Sequence, residues 1–399
     1  MNKKPVDTPK RKINYRLIAL VILFLAVVLW LMFFRLGNIM GGVTSAEANV
    51  MKLPLGWHGI YKYPMNLPIN VLRSVEMKFL SPLSPSLLRL PNVIFGIATV
   101  ICFYALCYVW YGVRTATMTT AMFATSAWTL HVSRLASYNV EYLFAMTAFL
   151  LTTAALHRHP KNKYWYVAIN FLWSILLFVP GMVWLIGYDI WRQRKEIQYG
   201  FQQQNTLVAI PIYVASAIVA LPLLLLNFTR SPDNFTYWLG IPNKLNPALT
   251  MIKDFFGVFV HIFIRGPENP ALWMGKASIL DVFALVCAAI GIYFYITHLK
   301  ASRAKLLFIS FAIGTVLISL GGAVDLSILI PIVFLFIAAG LAYLLQQWLQ
   351  VFPRNPIARG IGYGLIILAV TLSCVYNLRA YYVAWPHNPT SQSVFDVRL

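Results

Sequence analysis

The sequence predicts an all-α integral membrane protein, a polytopic bundle of about eleven membrane helices with amphipathic interfacial helices in its longer loops. Three observations predict it. The 399 residues are 59% hydrophobic and 11% charged, with a mean hydropathy of +0.69, where a soluble domain carries about 25% charged residues. So few polar groups do not cover a water-facing surface. Runs of about 20 apolar residues recur, each long enough at about 1.5 Å per residue to cross a hydrocarbon core of about 30 Å. These runs lack the two-residue alternation of barrel strands, which leaves helices as the structure that satisfies the backbone in lipid.

The elements follow in order. Lys3, Lys4, Lys10, Arg11, Lys12 and Arg16 surround the start of the apolar run 13–34, and this basic excess predicts a cytoplasmic N-terminus. The run is too long for the apolar core of a signal peptide and no small-residue cleavage site follows, so it reads as an uncleaved first span. A first outer loop covers 35–89. Central spans fill 90–228, at Leu90–Tyr111, Thr115–His131, Val140–Leu156, Tyr164–Tyr188 and Thr206–Phe228. As one crossing, the run 164–188 places Arg192, Arg194 and Lys195 outside. Val179-Pro180-Gly181 lies just past its middle, and a hairpin of two short helices broken there returns the basic cluster inside. A second outer loop spans 229–278, C-terminal spans cover 279–376, and 377–399 form a short outer tail. The whole chain reads as a single membrane domain.

The net charge of +20 belongs to loop lysines and arginines that set orientation and attract anionic lipid. No basic stripe with interleaved aromatics suggests nucleic acid as a partner. Cys102, Cys107, Cys287 and Cys374 lie in apolar stretches and form no C-x-x-C pair, so they read as small core residues. Of the twelve acids, Glu47, Glu76, Glu141, Asp233, Asp254, Glu268, Asp281, Asp325 and Asp396 fall outside or at outer helix ends. No span has an ionisable group near its centre, which argues against an ion-coupled transporter.

Several motifs occur in a suggestive order. F-R-L-G-N-I-M-G-G-V-T-S-A-E-A-N-V spans 34–50, Y-K-Y-P spans 61–64, S-P-S-L-L-R-L-P-N-V-I-F-G spans 84–96, and H-V-S-R-L-A-S-Y-N-V-E spans 131–141. This order resembles the membrane glycosyltransferases of the GT-C fold, in particular the protein O-mannosyltransferases and the aminoarabinose transferases that modify lipid A. The likeness covers about residues 30 to 160 and implies a GT-C-like helical bundle. In that family an acidic Asp-Glu pair opens the first outer loop, and the Asp is the residue assigned to catalysis. The pair here is Ala46-Glu47. Either Glu47 is the base, the base comes from elsewhere, or activity is lost. The family's Arg-Tyr before a late span is also replaced, by G-G-A-V-D-L-S-I-L-I-P at 321–331.

The resemblance implies sugar transfer from a polyprenyl-phosphate carrier to an acceptor hydroxyl on a glycan, lipid or protein, at the extracytoplasmic face of the cell membrane. Such a site needs a base for the acceptor proton and cations for the phosphate. Glu47 and Glu141 are the candidate catalytic acids, and the candidate ligands should the site take a divalent metal. Arg134, Arg265, Lys276, Arg379 and His387 are candidate phosphate-binding groups. Glu47 also suits the first turn of a surface helix, Glu141 suits a helix start, and cations near head groups commonly snorkel. The segments 68–80 and 247–264 read as interfacial helices. Two other readings compete: a related fold without catalysis, favoured by Ala46, and a flippase or transporter for lipid-linked sugars.

Overall fold

The computed structural model of the chain describes residues 15–40, 42–51, 59–60, 64–79, 84–158, 163–195, 198, 223–273, 275 and 277–397. The expected span 206–228 lies outside the described residues up to 222, as does Lys276. Among the described residues the regular elements are all helices, apart from a single antiparallel bridge between Val43 and Val397.

Helix α1 (Tyr15–Phe33) is followed by the short α2 (Ser45–Met51) and by α3 (Leu67–Phe79). Helix α4 (Pro85–Tyr111) begins five residues before the expected boundary. Ser84 caps it by accepting from the Leu87 N–H at 3.3 Å, with Pro85 in the first turn, the usual start signals for a helix. Arg89 is thereby drawn from the loop into the first turns of a span.

The expected span 115–131 is interrupted. Helices α5 (Val113–Thr125) and α6 (Ala127–Arg134) meet at Ser126, which has an extended ψ of 130°. The break frees the Ala127 N–H, and Asn377 accepts it at 3.3 Å. A broken backbone is tolerated at membrane depth only when buried in protein, and residues 124–127 are all buried.

Helix α7 (Asn139–Arg158) descends through the centre of the molecule. Helices α8 (Lys163–Leu176) and α9 (Met182–Arg192) flank the interruption at 177–181, where Gly181 takes a left-handed φ of 79°. Trp173 on α8 donates to the Thr152 hydroxyl at 3.0 Å, and Thr153 donates to Asp189 on α9 at 2.7 Å. Between these contacts Phe178 reaches the loop end, where its carbonyl accepts from the Asn66 N–H at 2.8 Å. The chain thus reverses, and Arg192 returns to the same end of the bundle as Arg158.

Helices α10 (Pro232–Leu239) and α11 (Ala248–Phe263) precede α12 (Val282–Thr297), α13 (Ser302–Ser319) and α14 (Ile330–Val351). A 3-10 turn, Leu326–Ile328, leads into α14. Helix α15 (Pro356–Arg379) runs on through a π-helical turn, Ala380–Ala384, and α16 (Pro389–Gln392) lies in the tail. The residues expected to open the outer tail therefore continue a helix.

This is a multi-pass membrane protein. Five helices, Pro85–Tyr111, Asn139–Arg158, Ser302–Ser319, Leu326–Val351 and Pro356–Ala384, are long and apolar enough to cross a bilayer, and Ile22–Phe33 and Val282–Thr297 are shorter apolar helices. The expected count of about eleven includes the span 206–228, which lies outside the described residues up to 222. Burial orders the long helices: 83% of the Asn139–Arg158 and Leu326–Val351 windows is buried, against 22% of Pro356–Ala384. The first two are central and the last faces the surroundings.

Helices α12 and α14 touch through their backbones. A Cβ added at Gly291 would lie 1.8 Å from the Phe336 carbonyl oxygen, and one at Gly340 would lie 2.0 Å from that of Cys287. Small residues permit this close approach, which gains van der Waals contact where lipid supplies no hydrophobic force between helices. Gly340→Leu is expected to destabilise the fold by about 3 kcal/mol through overpacking. Gly360→Ala, at a position with open space, is expected to be neutral or slightly stabilising. Thermal unfolding of the two variants in detergent checks both.

Candidate functional site

Residues 35–84, the 135–138 connection and the C-terminal tail gather at one end of the bundle, the loop end. Glu47 is its best-connected acid. Thr44 and Glu47 form a reciprocal capping box for α2: the Glu47 N–H donates to Thr44 Oγ1 at 3.1 Å, and the Thr44 N–H to Glu47 Oε2 at 3.0 Å. Arg89 Nε donates to Oε1 at 2.8 Å and Arg89 Nη2 to Oε2 at 3.0 Å. The Ala136 N–H adds a bond to Oε1 at 3.0 Å. Arg89 Nη1 also donates to the Leu36 carbonyl and Nη2 to the Gly42 carbonyl, both at 3.0 Å. Both carboxylate oxygens are thus occupied by two donors each, in a pair only 3–4% exposed. A carboxylate so saturated is a clamp between the first loop, α4 and the 135–138 connection. The expectation that Glu47 takes a proton from an acceptor finds no open oxygen here. Ala46, one residue earlier on α2, faces solvent.

The expected phosphate-binding cations do not converge. Arg134 is buried, donates to the Tyr382 hydroxyl at 2.7 Å and to the Phe34 carbonyl, and lies between the Tyr381 and Tyr382 rings, 5.2 Å from each centroid. It ties the end of α1 to the tail. Arg265 pairs with Glu268 at 2.9 Å on the exposed surface. Arg379 and His387 are exposed, and His387 Nδ1 lies 2.6 Å from the Val383 carbonyl. No cluster of three or more His, Cys, Asp or Glu side chains converges among the described residues. Glu47 and Glu141 have different partners, so they do not form the shared metal site the sequence left open.

A second polar cluster lies beside the clamp, and Glu141 belongs to it. The segment 68–80 is expected to be an interfacial helix. Helix α3 instead buries Ile69, Asn70, Arg73, Ser74 and Glu76 and exposes Val75 and Phe79. Glu141 Oε1 accepts the Ile69 N–H at 2.8 Å, satisfying one of the open donors in the first turn of α3. Arg73 Nη2 donates to Asn92 Oδ1 at 3.3 Å and more weakly to the Ser137 carbonyl at 3.4 Å. Asn92 Nδ2 donates to the same carbonyl at 2.6 Å. The Tyr138 ring stands 4.8 Å from the guanidinium, and its hydroxyl donates to Asn70 Oδ1 at 3.3 Å. Asn66 Nδ2 donates to the Tyr237 hydroxyl at 3.1 Å, which brings α10 to the rim.

Four atoms on the ionisable side chains of this cluster are buried without partners, Arg73 Nε and Nη1, Glu76 Oε1 and Glu141 Oε2, and so is Ser137 Oγ. Unsatisfied buried polar atoms are rare and costly, more so on charged groups. Four on neighbouring ionisable side chains mark a place built for something polar. Burial lowers the Arg73 pKa from its ordinary value, opposed by Tyr138, Glu141 and Glu76. Burial raises that of Glu76 to about 7, opposed by Arg73. Open N–H groups on a buried guanidinium suit an anion, and an open carboxylate oxygen alongside suits a hydroxyl proton.

The sequence reading missed Arg73, Asn70, Asn92 and Tyr138. One signal was available. Asn70, Arg73 and Glu76 recur at three-residue spacing and so share a helix face. A polar stripe on an amphipathic helix is normally taken as the wet face, and here it is the packed one.

No family model matches the sequence, and no curated protein matches it. The fold does have solved counterparts. ArnT from Cupriavidus metallidurans in the apo state superposes with a TM-score of 0.59 at 13% identity, over 95% of this chain and 78% of that one. The same protein bound to undecaprenyl phosphate gives 0.53 at 13% identity, over 94% and 77%. The likeness is one of fold, and the fold is the GT-C architecture that the motif order implied.

Two measurements test these geometries. Arg89→Ala strands a buried carboxylate and is expected to cost about 3–5 kcal/mol in unfolding free energy, with Glu47→Gln/Arg89→Gln costing less than the sum of the singles. Glu76 holds its proton more tightly in the folded chain, so its contribution to stability is fully present below about 4.5 and is lost as pH rises through about 7. In Glu76→Gln that component of the thermal midpoint against pH is expected to vanish.

Proposed function

We propose that the protein is a glycosyltransferase that moves a sugar from a polyprenyl-phosphate carrier to an acceptor hydroxyl, at the loop end of the bundle. The observation that carries this reading is the open set of Arg73 Nε and Nη1, Glu76 Oε1 and Glu141 Oε2 in one buried cluster of a GT-C fold. The undecaprenyl phosphate bound to ArnT supports a lipid-linked donor. The basic loops at the far end, with the acids gathered at the loop end, support an extracytoplasmic site in the cell membrane and a cytoplasmic N-terminus.

In this mechanism the carrier's lipid tail stays in the bilayer and its phosphate meets Arg73. The open Arg73 N–H groups donate to phosphate oxygens. As the bond between the sugar's anomeric carbon and the phosphate oxygen breaks, the electron pair leaves with the phosphate. Charge grows there opposite a fixed, desolvated cation, where its stabilisation is largest. The acceptor oxygen forms the new bond to the anomeric carbon, and its proton passes to Glu141 Oε2. The other oxygen of Glu141, held by the Ile69 N–H, keeps the carboxylate oriented. Glu76 opposes the Arg73 charge only once its carboxyl has lost its proton, at about pH 7. Glu47 acts from a distance, by fixing the connection that carries Ser137 and Tyr138. No step requires a metal.

One observation favours a second reading. The saturated Glu47 and the solvent-facing Ala46 suit a GT-C relative that binds the carrier without turning it over.

The test is release of polyprenyl phosphate by purified protein in lipid, over a panel of polyprenyl-phosphate sugars. Wild type is expected to release it. Glu141→Gln is expected to lose about 10²-fold or more in rate with donor binding retained, and Arg73→Gln to lose donor binding as well. Donor bound but never turned over by wild type would establish the binding-protein reading. Turnover unchanged in both variants would remove this cluster from the chemistry.

A further inference from the structure

The far end of the bundle holds a cavity that the proposed chemistry does not use. Its volume is about 830 Å³. The ends of α4, α7, α9 and α14 line it, together with the end of α12 and the start of α13. Glu141 and Arg158 both lie on α7, 17 residues apart, which at about 1.5 Å per residue puts the cavity roughly 25 Å from the loop-end cluster. It is a separate site.

Its charge is one-sided. His157, Arg158, Arg192, His298 and Arg303 line it, and no Asp or Glu does. Arg192 is neutralised from behind: its Nε and Nη2 donate to Asp189 Oδ1 at 2.9 and 2.7 Å, and Asp189 is buried and also takes Thr153 and Gln193. Arg303 lies over the Trp110 ring at 5.5 Å and donates only Nη1, to the Trp110 carbonyl at 3.3 Å. Neither Arg158 nor Arg303 forms an ion pair among the described residues. The cavity also meets the N-terminus of α13 at Ala301, Ser302 and Arg303. That terminus has no side-chain cap and no acid in its first turn, so its N–H groups and the positive end of its dipole add to the field of the arginines. Trp110, Phe294 and Tyr343 supply aromatic rings to the same lining, with Trp110 beneath Arg303.

We propose that this cavity binds a phosphomonoester group, with Arg158 and Arg303 as its principal ligands and the start of α13 as a third side. The shared chemistry is a doubly ionisable phosphate that takes several N–H donors at once. It has two sources, the head group of an anionic membrane lipid such as a phosphatidate or a soluble phosphate. The aromatic rings and the position at the end of the spans favour the lipid. The proposal does not depend on the loop-end chemistry, because its readout is binding.

The test uses full-length protein in neutral detergent, titrated separately with inorganic phosphate and with a short-chain phosphatidate. Wild type is expected to bind, and Arg158→Gln/Arg303→Gln to weaken binding by about tenfold or more, the effect of losing a charge-assisted hydrogen bond. Arg354→Gln/Arg359→Gln, which removes two exposed cations that do not line the cavity, is expected to leave binding unchanged. Phosphatidate bound more tightly than phosphate assigns the lipid source, and equal affinities assign the soluble one. In unmutated protein, either ligand is expected to protect Arg158 and Arg303 from phenylglyoxal, read by peptide mass. Absence of binding by both probes, equal loss in the two double variants, or modification of both arginines unaffected by saturating ligand would each overturn the proposal.

Discussion

The bidentate pair between Glu47 and Arg89 is the contact on which the loop end depends. Isolated, either charge is very costly to bury. Together, with the Thr44 and Ala136 N–H groups and the Leu36 and Gly42 carbonyls, they leave no charged atom unmet. Such pairs add little net stability over apolar replacements, and their value is often positional. Here the position is specific. Ala136 is held by Glu47, and the next residue, Ser137, offers the carbonyl that Arg73 and Asn92 share. A saturated ion pair therefore fixes the unsaturated polar cluster beside it. The tail closes over the same loop through the Val43–Val397 bridge and through Gly42, where a Cβ would sit 2.3 Å from the Phe395 carbonyl.

Below this end, the bundle meets the demands of lipid by keeping its irregular backbone inside. The Ser126 break is met by Asn377, which also reaches Asp281 at 2.9 Å, so one amide joins α6, α12 and α15. Phe103, Phe123 and Phe334 stack and abut at 4.3 and 5.1 Å, locking α4, α5 and α14 in the middle. The two ends have opposite character. The loop end combines buried carboxylates with paired or half-paired arginines, and the far end has arginines around a cavity without acids. Chemistry that separates charge at one surface is compatible with anchoring to anionic lipid at the other.

Much of this was legible in the sequence, for physical reasons. Span positions follow from run length and hydropathy, which depend on residues adjacent in the chain. The reversal at 177–181 was legible because two local signals agreed, the Pro180-Gly181 breaker and the basic residues that follow. The GT-C fold was legible in the motif order, with Arg89, Arg134 and Glu141 at recognisable places. The site was less legible because its pairings are distant. Glu47 meets Arg89 across 42 residues and Glu141 meets the Ile69 N–H across 72. Nothing local reveals that Glu47 is saturated and Glu141 half open. Arg73 was not singled out, because amphipathic periodicity gives the face and not which face packs. Arg134, Arg265, Arg379 and His387 were grouped by being near one surface, a condition much weaker than convergence.

The most direct measurement is a structure of the full chain in lipid with a polyprenyl phosphate bound, read for the position of the phosphate. The account predicts phosphate density within hydrogen-bonding reach of Arg73 Nε or Nη1, with Glu141 Oε2 facing the space beside it. Phosphate held instead by Arg134, Arg265 or the tail cations, with the Arg73 donors still unmet, would contradict it.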